Sequence, residues 1–195
     1  TYTTMSEKLQ TKIRMYRMHE LGDCFLLNFK IGDANSHVLI DCGSFRNSNE
    51  SRNKFVKITK NIKKLLDGKK LDLVVATHQH NDHMSGFIHA KTQFEEIGIN
   101  QVCLSWLDDE KDPLALDIAE KHDKIVKHFS NIKGIVDGIS TRYVKDIKMA
   151  LDEVVDERSF AADKSLTGKA TQFLKAVGEK KIKYLKKEPE SFLKM

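Results

Sequence analysis

Short runs of alternating apolar and polar residues open the chain, and this period of two predicts β-strands. The predicted strands cover residues 12–18, 24–30 and 37–41. Gly22 and Asp23 separate the first two, and a segment rich in Gly, Asp, Asn and Ser over 32–36 separates the second from the third. Connections this short join antiparallel neighbours, so the domain is expected to begin with an antiparallel meander.

Apolar residues then recur at helical spacing, from Phe55 to Leu66 within a segment that runs over 49–66. Asp67 and Gly68 are residues that end helices. An apolar, β-branched run over 71–77 predicts a buried strand. The elements predicted after it are a helix over 85–98, a strand over 101–107, helices over 113–131, 141–157 and 167–178, and a short strand over 182–185. This alternation of strands and helices predicts the α/β class.

Three imidazoles and one carboxylate follow the run at 71–77 within six residues. They are His78, His80, Asp82 and His83. A single histidine is ordinarily structural or exposed, but four ligand-type residues directly after an apolar strand indicate a metal site. In extended backbone His78 and His80 leave the chain on the same side and can reach one ion. Asp82 and His83 lie where the chain turns into the next helix and can be aimed at a second ion. A zinc finger is disfavoured, because no paired cysteines lie nearby.

The run Thr-His-Gln-His-Asn-Asp-His over 77–83 resembles the Thr-His-x-His-x-Asp-His signature of the metallo-β-lactamase superfamily. Leu-Ile-Asp-Cys-Gly over 39–43 resembles the family's earlier strand, which ends in Asp and Gly. Gly-Asp-Cys-Phe-Leu-Leu over 22–27 resembles the competence-protein (ComEC-like) branch. The resemblance implies the first half of an αββα sandwich over 12–195. Residues 1–11 are interpreted as a disordered N-terminus of the kind that expression vectors add.

Roles for the motif residues come from this resemblance. It implies that His78 and His80 bind one metal ion and that Asp82 and His83 bind a second. It also implies that Asp82 assists proton transfer and that Asp41 orients the metal loop by hydrogen bonds instead of binding metal. The expected cofactor is Zn²⁺, two per intact site, with Mn²⁺ or Fe²⁺ as alternatives.

Such a site also takes three ligands from later strands of the family's fold. The later histidines of this chain are His89, His122 and His128, and each falls in a predicted helix. None of them is expected to be a ligand, because none ends an apolar strand. We therefore expect this chain to be the N-terminal part of a longer protein, whose C-terminal part supplies the rest of the sandwich.

The resemblance implies a metal-dependent hydrolase in which hydroxide generated at the metal attacks an ester-like bond. A phosphodiester or nucleic acid is the favoured substrate, on the ComEC-like resemblance and, weakly, on the basic charge. Small esters, thioesters and lactams stay open. The alternative is a non-catalytic or incomplete module that serves interaction or sensing within a larger protein.

Composition adds limits to this prediction. The chain has 195 residues and a net charge of +5, which attracts anionic substrates only weakly. It has no apolar run of about 20 residues, and its first residues lack the apolar core of a signal peptide, so no membrane partner and a cytoplasmic location are expected. Cys24, Cys42 and Cys103 are expected to be reduced and buried. A thiol ligand from Cys42, which lies close to the motif, stays open.

Overall fold

The structure is a computed structural model that describes residues 8–18, 20–45, 48–138, 144, 147–148, 151, 165–178 and 182–185. Its strands are β1 (Gln10–Met15), β2 (Phe25–Ile31), β3 (Ala34–Ile40), β4 (Leu73–Val75), β5 (Val102–Leu104) and β6 (Ile182–Tyr184). Its helices are α1 (Asn49–Leu66), α2 (Asn81–His89), α3 (Lys91–Ile97), α4 (Pro113–Asp137) and α5 (Leu166–Val177).

The strands form one six-stranded sheet in the order β1-β2-β3-β4-β5-β6. The first three pair antiparallel, and Gly32, with φ 53°, makes the tight turn between β2 and β3. From β3 to β6 all pairs are parallel. The predicted meander and the α/β class are therefore confirmed. Because β3, β4 and β5 run in the same direction, their carboxyl ends meet at one edge of the sheet.

The core lies between one face of the sheet and the helices. It combines alternate strand residues such as Leu39 and Val74 with the apolar stripes of α1, α2, α3 and α5. The helix α1 illustrates how the sequence encodes this packing. The Ser48 hydroxyl caps it by accepting from the Ser51 amide (3.2 Å), and it ends where Asp67 adopts a left-handed conformation. Its predicted bounds, 49–66, are confirmed.

The N-terminal strand differs from its prediction. It covers Gln10–Met15 and not 12–18, because Met15 pairs with Phe25, the first residue of β2, and the ladder ends there. Residues 10 and 11 therefore belong to a strand, which corrects the prediction of a disordered segment over 1–11 at its last two positions. Residues 1–7 of that segment lie outside the described residues.

The segment after the motif also differs. One helix was predicted over 85–98, whereas α2 begins four residues earlier and a break at Ala90 separates it from α3. The strand predicted over 101–107 ends at Leu104, because the Ser105 hydroxyl accepts from the Leu107 amide (3.4 Å) and starts a 3₁₀ turn over Trp106–Asp108. The strand predicted over 71–77 forms only at its centre.

The C-terminal elements agree with prediction where they are described. The helix predicted over 113–131 continues to Asp137, α5 fits the prediction over 167–178, and β6 fits the short strand at 182–185. The helix predicted over 141–157 lies mostly outside the described residues; 144, 147–148 and 151 are helical. None of the helices in the described part of the chain has the length and hydrophobicity needed to cross a membrane.

Candidate metal centre

The motif sits at the carboxyl edge of the parallel strands. Asp41 directly follows β3, and its amide donates to the Val75 carbonyl of β4 (2.9 Å). The chain leaves β4 through Thr77, bends at His78 and Gln79, and enters α2. The ends of the two neighbouring strands thus bring the two segments singled out from the sequence, 39–43 and 77–83, into contact.

Asp41 is the centre of the hydrogen-bond network beneath the motif. Its side chain is buried, and one carboxylate oxygen accepts from the Thr77 amide (2.8 Å). The other oxygen accepts from the Thr77 hydroxyl (2.7 Å) and lies 2.8 Å from Nδ1 of His83. Asp41 has a φ of 54°, a left-handed conformation that aspartate tolerates better than most residues. This single carboxylate therefore connects the beginning and the end of the motif.

These hydrogen bonds occupy Nδ1 of His78 and of His83 and leave Nε2 of each ring available for a cation. Nδ1 of His83 can only donate to the carboxylate of Asp41. Nδ1 of His78 lies 3.0 Å from the Thr77 hydroxyl, whose hydrogen is directed to Asp41, so the hydroxyl accepts from His78. Both rings are therefore protonated at Nδ1 and have the lone pair of Nε2 for a cation.

Three of the four predicted ligands form a compact group. Donor atoms of His78, Asp82 and His83 all lie within 4.8 Å of one another, and Nε2 of His83 is 3.4 Å from a carboxylate oxygen of Asp82. His80 is not part of this group, although its ring centroid is 4.6 Å from that of His78. The expectation that His78 and His80 point to the same side assumed extended backbone. That assumption does not hold, because the backbone bends at His78 and Gln79.

The surroundings of the group shift the pKa values of His78 and His83 in opposite directions. Burial lowers the pKa of His78, and the neighbouring His83 and His80 lower it further. Burial also opposes the charged form of His83, but the hydrogen bond and charge of Asp41, with Asp82 and Asp23, outweigh it and raise its pKa. His78 is therefore neutral and ready to bind a cation. His83 keeps a second ring proton up to a higher pH than His78 does, and a cation at Nε2 competes with that proton.

The backbone of the preceding loop packs directly under the motif. The amides of Cys42 and Ser44 donate to the carbonyls of His83 (2.8 Å) and Asn81 (3.1 Å). A β-carbon at Gly43 would lie 2.3 Å from the backbone of Asp82, so only glycine fits there. The thiol of Cys42 is buried against Cys24 and does not belong to the donor group. The cysteines are free, and Cys24 and Cys42 are buried, whereas Cys103 is half-buried.

A further contact of the motif was not predicted from the sequence. The side-chain amide of Gln79 donates to the carboxylate of Asp108, in the 3₁₀ turn after β5. Burial raises the pKa of Asp108, and the hydrogen bond from Gln79 opposes that shift. Gln79 is thus anchored to the third parallel strand. The position of an Asp just after a predicted strand was the only available hint.

The Gln79–Asp108 contact allows a direct test. Asp108→Asn keeps an oxygen that accepts from Gln79 and is expected to unfold at nearly the wild-type urea concentration. Asp108→Leu leaves the amide without its partner and is expected to lose about 1.5–3 kcal/mol of unfolding free energy. Asp109→Leu, one residue along the same turn, is the matched control. Equal losses for Asp108→Asn and Asp108→Leu would contradict this role for the hydrogen bond.

Comparison with known proteins agrees with the geometry. Residues 20–143 match the family described as the metallo-beta-lactamase superfamily. The chain belongs to this superfamily. No curated protein and no solved structure gave a significant match.

Members of the metallo-β-lactamase superfamily are generally hydrolases and typically bind divalent metals. The donor set of this chain fits such an ion, because imidazole nitrogen and carboxylate oxygen suit Zn²⁺, Mn²⁺ and Fe²⁺ alike. The tautomers that Asp41 and Thr77 impose also fit, since they turn a lone pair of each ring away from the network.

Proposed function

We propose that this chain is the metal-binding part of a hydrolase that cleaves phosphodiesters. The observation that carries the proposal is the convergence of His78, Asp82 and His83 above the buried carboxylate of Asp41. Three protein donors with one open position are the usual arrangement of a catalytic zinc site. A site of this kind at the carboxyl edge of parallel strands is open to substrate from outside the sheet.

Each residue of the site has a separate task in the proposed mechanism. A bound divalent ion supplies Lewis acidity, which makes water a stronger nucleophile and polarises the scissile bond. His78 and His83 would hold the ion, with Nε2 the ring nitrogen left available by the hydrogen bonds beneath the motif. Asp82 would also hold the ion, and its carboxylate would accept a proton from the attacking water. Asp41 and Thr77 hold the two rings in place and do not touch substrate.

The choice of phosphodiester rests on two weaker supports. The segment 22–27 resembles the ComEC-like branch, and Asp23 within it lies 3.7 Å from Nδ1 of His83. The net charge of +5 favours anionic substrates. We assign the chain to that branch as part of the proposal. We also propose a cytoplasmic location for the protein, which the free cysteines support.

The number of metal ions is also part of the proposal. The described residues bring together three donors, enough for one ion with water completing its coordination. We propose that a second ion, with His80 beside it, requires donors from outside the described residues, in the remaining half of the sandwich. The chain by itself is then expected to hold about one ion, with modest affinity.

The test is metal-dependent turnover. The chain purified with a chelator should not hydrolyse bis-p-nitrophenyl phosphate, and added Zn²⁺ or Mn²⁺ should restore hydrolysis, because the ion activates the attacking water. Parallel assays with p-nitrophenyl acetate and a chromogenic cephalosporin test the substrate class. Faster metal-dependent cleavage of either would refute the phosphodiester assignment. Elemental analysis that shows two tightly held ions per chain would refute the proposed metal count.

One observation favours a second candidate function. Three donors are fewer than a dinuclear hydrolase uses, which agrees with a non-catalytic module that serves interaction or sensing in a larger protein. That module would bind the ion without turnover of any of the three substrates. Metal binding without hydrolysis, measured on the same preparation, distinguishes it from the hydrolase.

A further inference from the structure

A groove runs between the edge strand β1 and helix α1, on the face of the sheet that α1 covers. It consists of two neighbouring cavities. The first, of about 440 Å³, is lined by Arg17 of the chain after β1 and by Lys54 and Lys57 of α1. The second, of about 560 Å³, is lined by Lys12 and Arg14 of β1. We call these five basic residues and the space between them the β1–α1 groove.

The two cavities follow one another along both elements. Tyr16 follows the last β1 residue of the second cavity and precedes Arg17 of the first. Its hydroxyl donates to the Asn61 side chain of α1 (2.9 Å), midway along the helix between the two linings. This contact holds β1 to α1 and divides the groove. The groove thus extends over both cavities, with basic side chains on each wall.

The positive charge of the groove is not neutralised within the described part of the chain. Four of the five basic side chains are exposed, and Lys54 is half-buried. No ion pair joins any of the five to a described carboxylate. The acidic residue that lines the groove is Glu50, at its end. By contrast, Lys63 on another side of α1 is paired with Glu96 (2.8 Å).

One end of the groove lies close to the metal centre. The Tyr16 amide donates to the carbonyl of Cys24 (2.9 Å), and the amide of the adjacent Asp23 donates to the carbonyl of Asp82 (2.9 Å). On the other wall, the Ser51 hydroxyl in the first turn of α1 lies 3.1 Å from that of Ser44, in the loop after Asp41. Both walls therefore begin beside the loops that support the motif.

From this arrangement we propose that the β1–α1 groove binds the phosphate backbone of single-stranded nucleic acid and leads it to the metal centre. Unpaired basic side chains on two walls provide the charge that attracts phosphates. An exposed apolar side chain also lines the groove: Leu65 of α1 has 37% of its surface accessible. An unpaired base has an apolar face that can cover this side chain, whereas a duplex keeps its bases stacked inside.

This inference rests on the proposed function for the class of substrate, but its test does not require catalysis. Binding of a fluorescent 20-nucleotide single-stranded DNA is measured by anisotropy in a chelator. Lys12→Glu with Lys57→Glu places an acid on each wall. We expect this pair to weaken binding about tenfold or more, and to reduce the slope of log K against log salt by about 1.4, since two phosphate contacts are lost.

The matched control is Lys127→Glu with Lys169→Glu. These lysines are also exposed and lie on α4 and α5, away from the groove, and the pair changes the net charge equally. Binding by the control should stay within about threefold of wild type. The neutral pair Lys12→Gln with Lys57→Gln repeats the test without acidic side chains and should also weaken binding. Circular dichroism checks that each variant is folded.

Three results would overturn the inference. Equal weakening by both glutamate pairs would mean that only net charge matters. Tighter binding of a duplex of the same length would exclude a single-strand groove. The third result is a protein that binds anionic phospholipid vesicles but not the oligonucleotide. If Lys12→Glu with Lys57→Glu abolished that vesicle binding, the groove would be assigned to a membrane surface. Oligonucleotide binding without hydrolysis would support the groove and count against the proposed activity alone.

Discussion

His83→Ala is expected to lose both metal binding and metal-dependent hydrolysis. The substitution removes one of three donors, so the drop in metal affinity should exceed the roughly 10–100-fold loss caused by removing a partner behind a ligand. Hydrolysis of bis-p-nitrophenyl phosphate should fall to the rate in buffer. Affinity is measured by competition with a chromogenic chelator, and turnover on the same sample.

Two further variants are needed to interpret that result. His83→Ala also leaves the buried Asp41 without one partner and lowers stability, so Asp82→Asn provides a donor change with less effect on folding. It should lose hydrolysis while its unfolding transition stays near that of wild type. His128→Ala, on the exposed side of α4, controls for the loss of an imidazole. Unchanged turnover in His83→Ala would remove this residue from the site.

The parts of the fold that local chemistry determines were predictable from the sequence. The bounds of α1 follow from a serine cap, a regular apolar stripe and a left-handed end at Asp67, all encoded within the segment itself. The motif was recognisable because four ligand-type residues follow an apolar run. Its position at the carboxyl end of a strand followed from the apolar, β-branched run over 71–77 that precedes it.

The remaining features depend on contacts between distant segments. The bend at His78 and Gln79 changes which donors converge, and Asp108 reaches Gln79 across 29 positions of the chain. Neither has a local pattern. From the sequence, the net charge of +5 indicated only a weak attraction for anionic substrates. In the fold, Lys12 and Lys57 line adjoining cavities of one groove, because β1 is held beside α1 by Tyr16.

Asp41→Asn and Asp41→Ala should separate the orienting role of Asp41 from its contribution to stability. In Asp41→Asn the remaining oxygen can still accept from the Thr77 amide, and asparagine tolerates the φ of 54°. The new NH₂ group, however, cannot accept from His83 Nδ1. The ring must then move its proton to Nε2 or turn away, so metal affinity should fall about 10–100-fold with a modest loss of stability.

Asp41→Ala should lose metal affinity to a similar degree and also destabilise the fold. It leaves three donors without their acceptor, the Thr77 amide, the Thr77 hydroxyl and His83 Nδ1, in a buried place. We expect a loss of about 3 kcal/mol or more in unfolding free energy, measured by urea titration. Asp67→Asn is the matched control, because Asp67 is also an aspartate at positive φ but lies exposed at the end of α1. If Asp41→Asn keeps wild-type metal affinity, Asp41 supports the fold and does not orient the ligands.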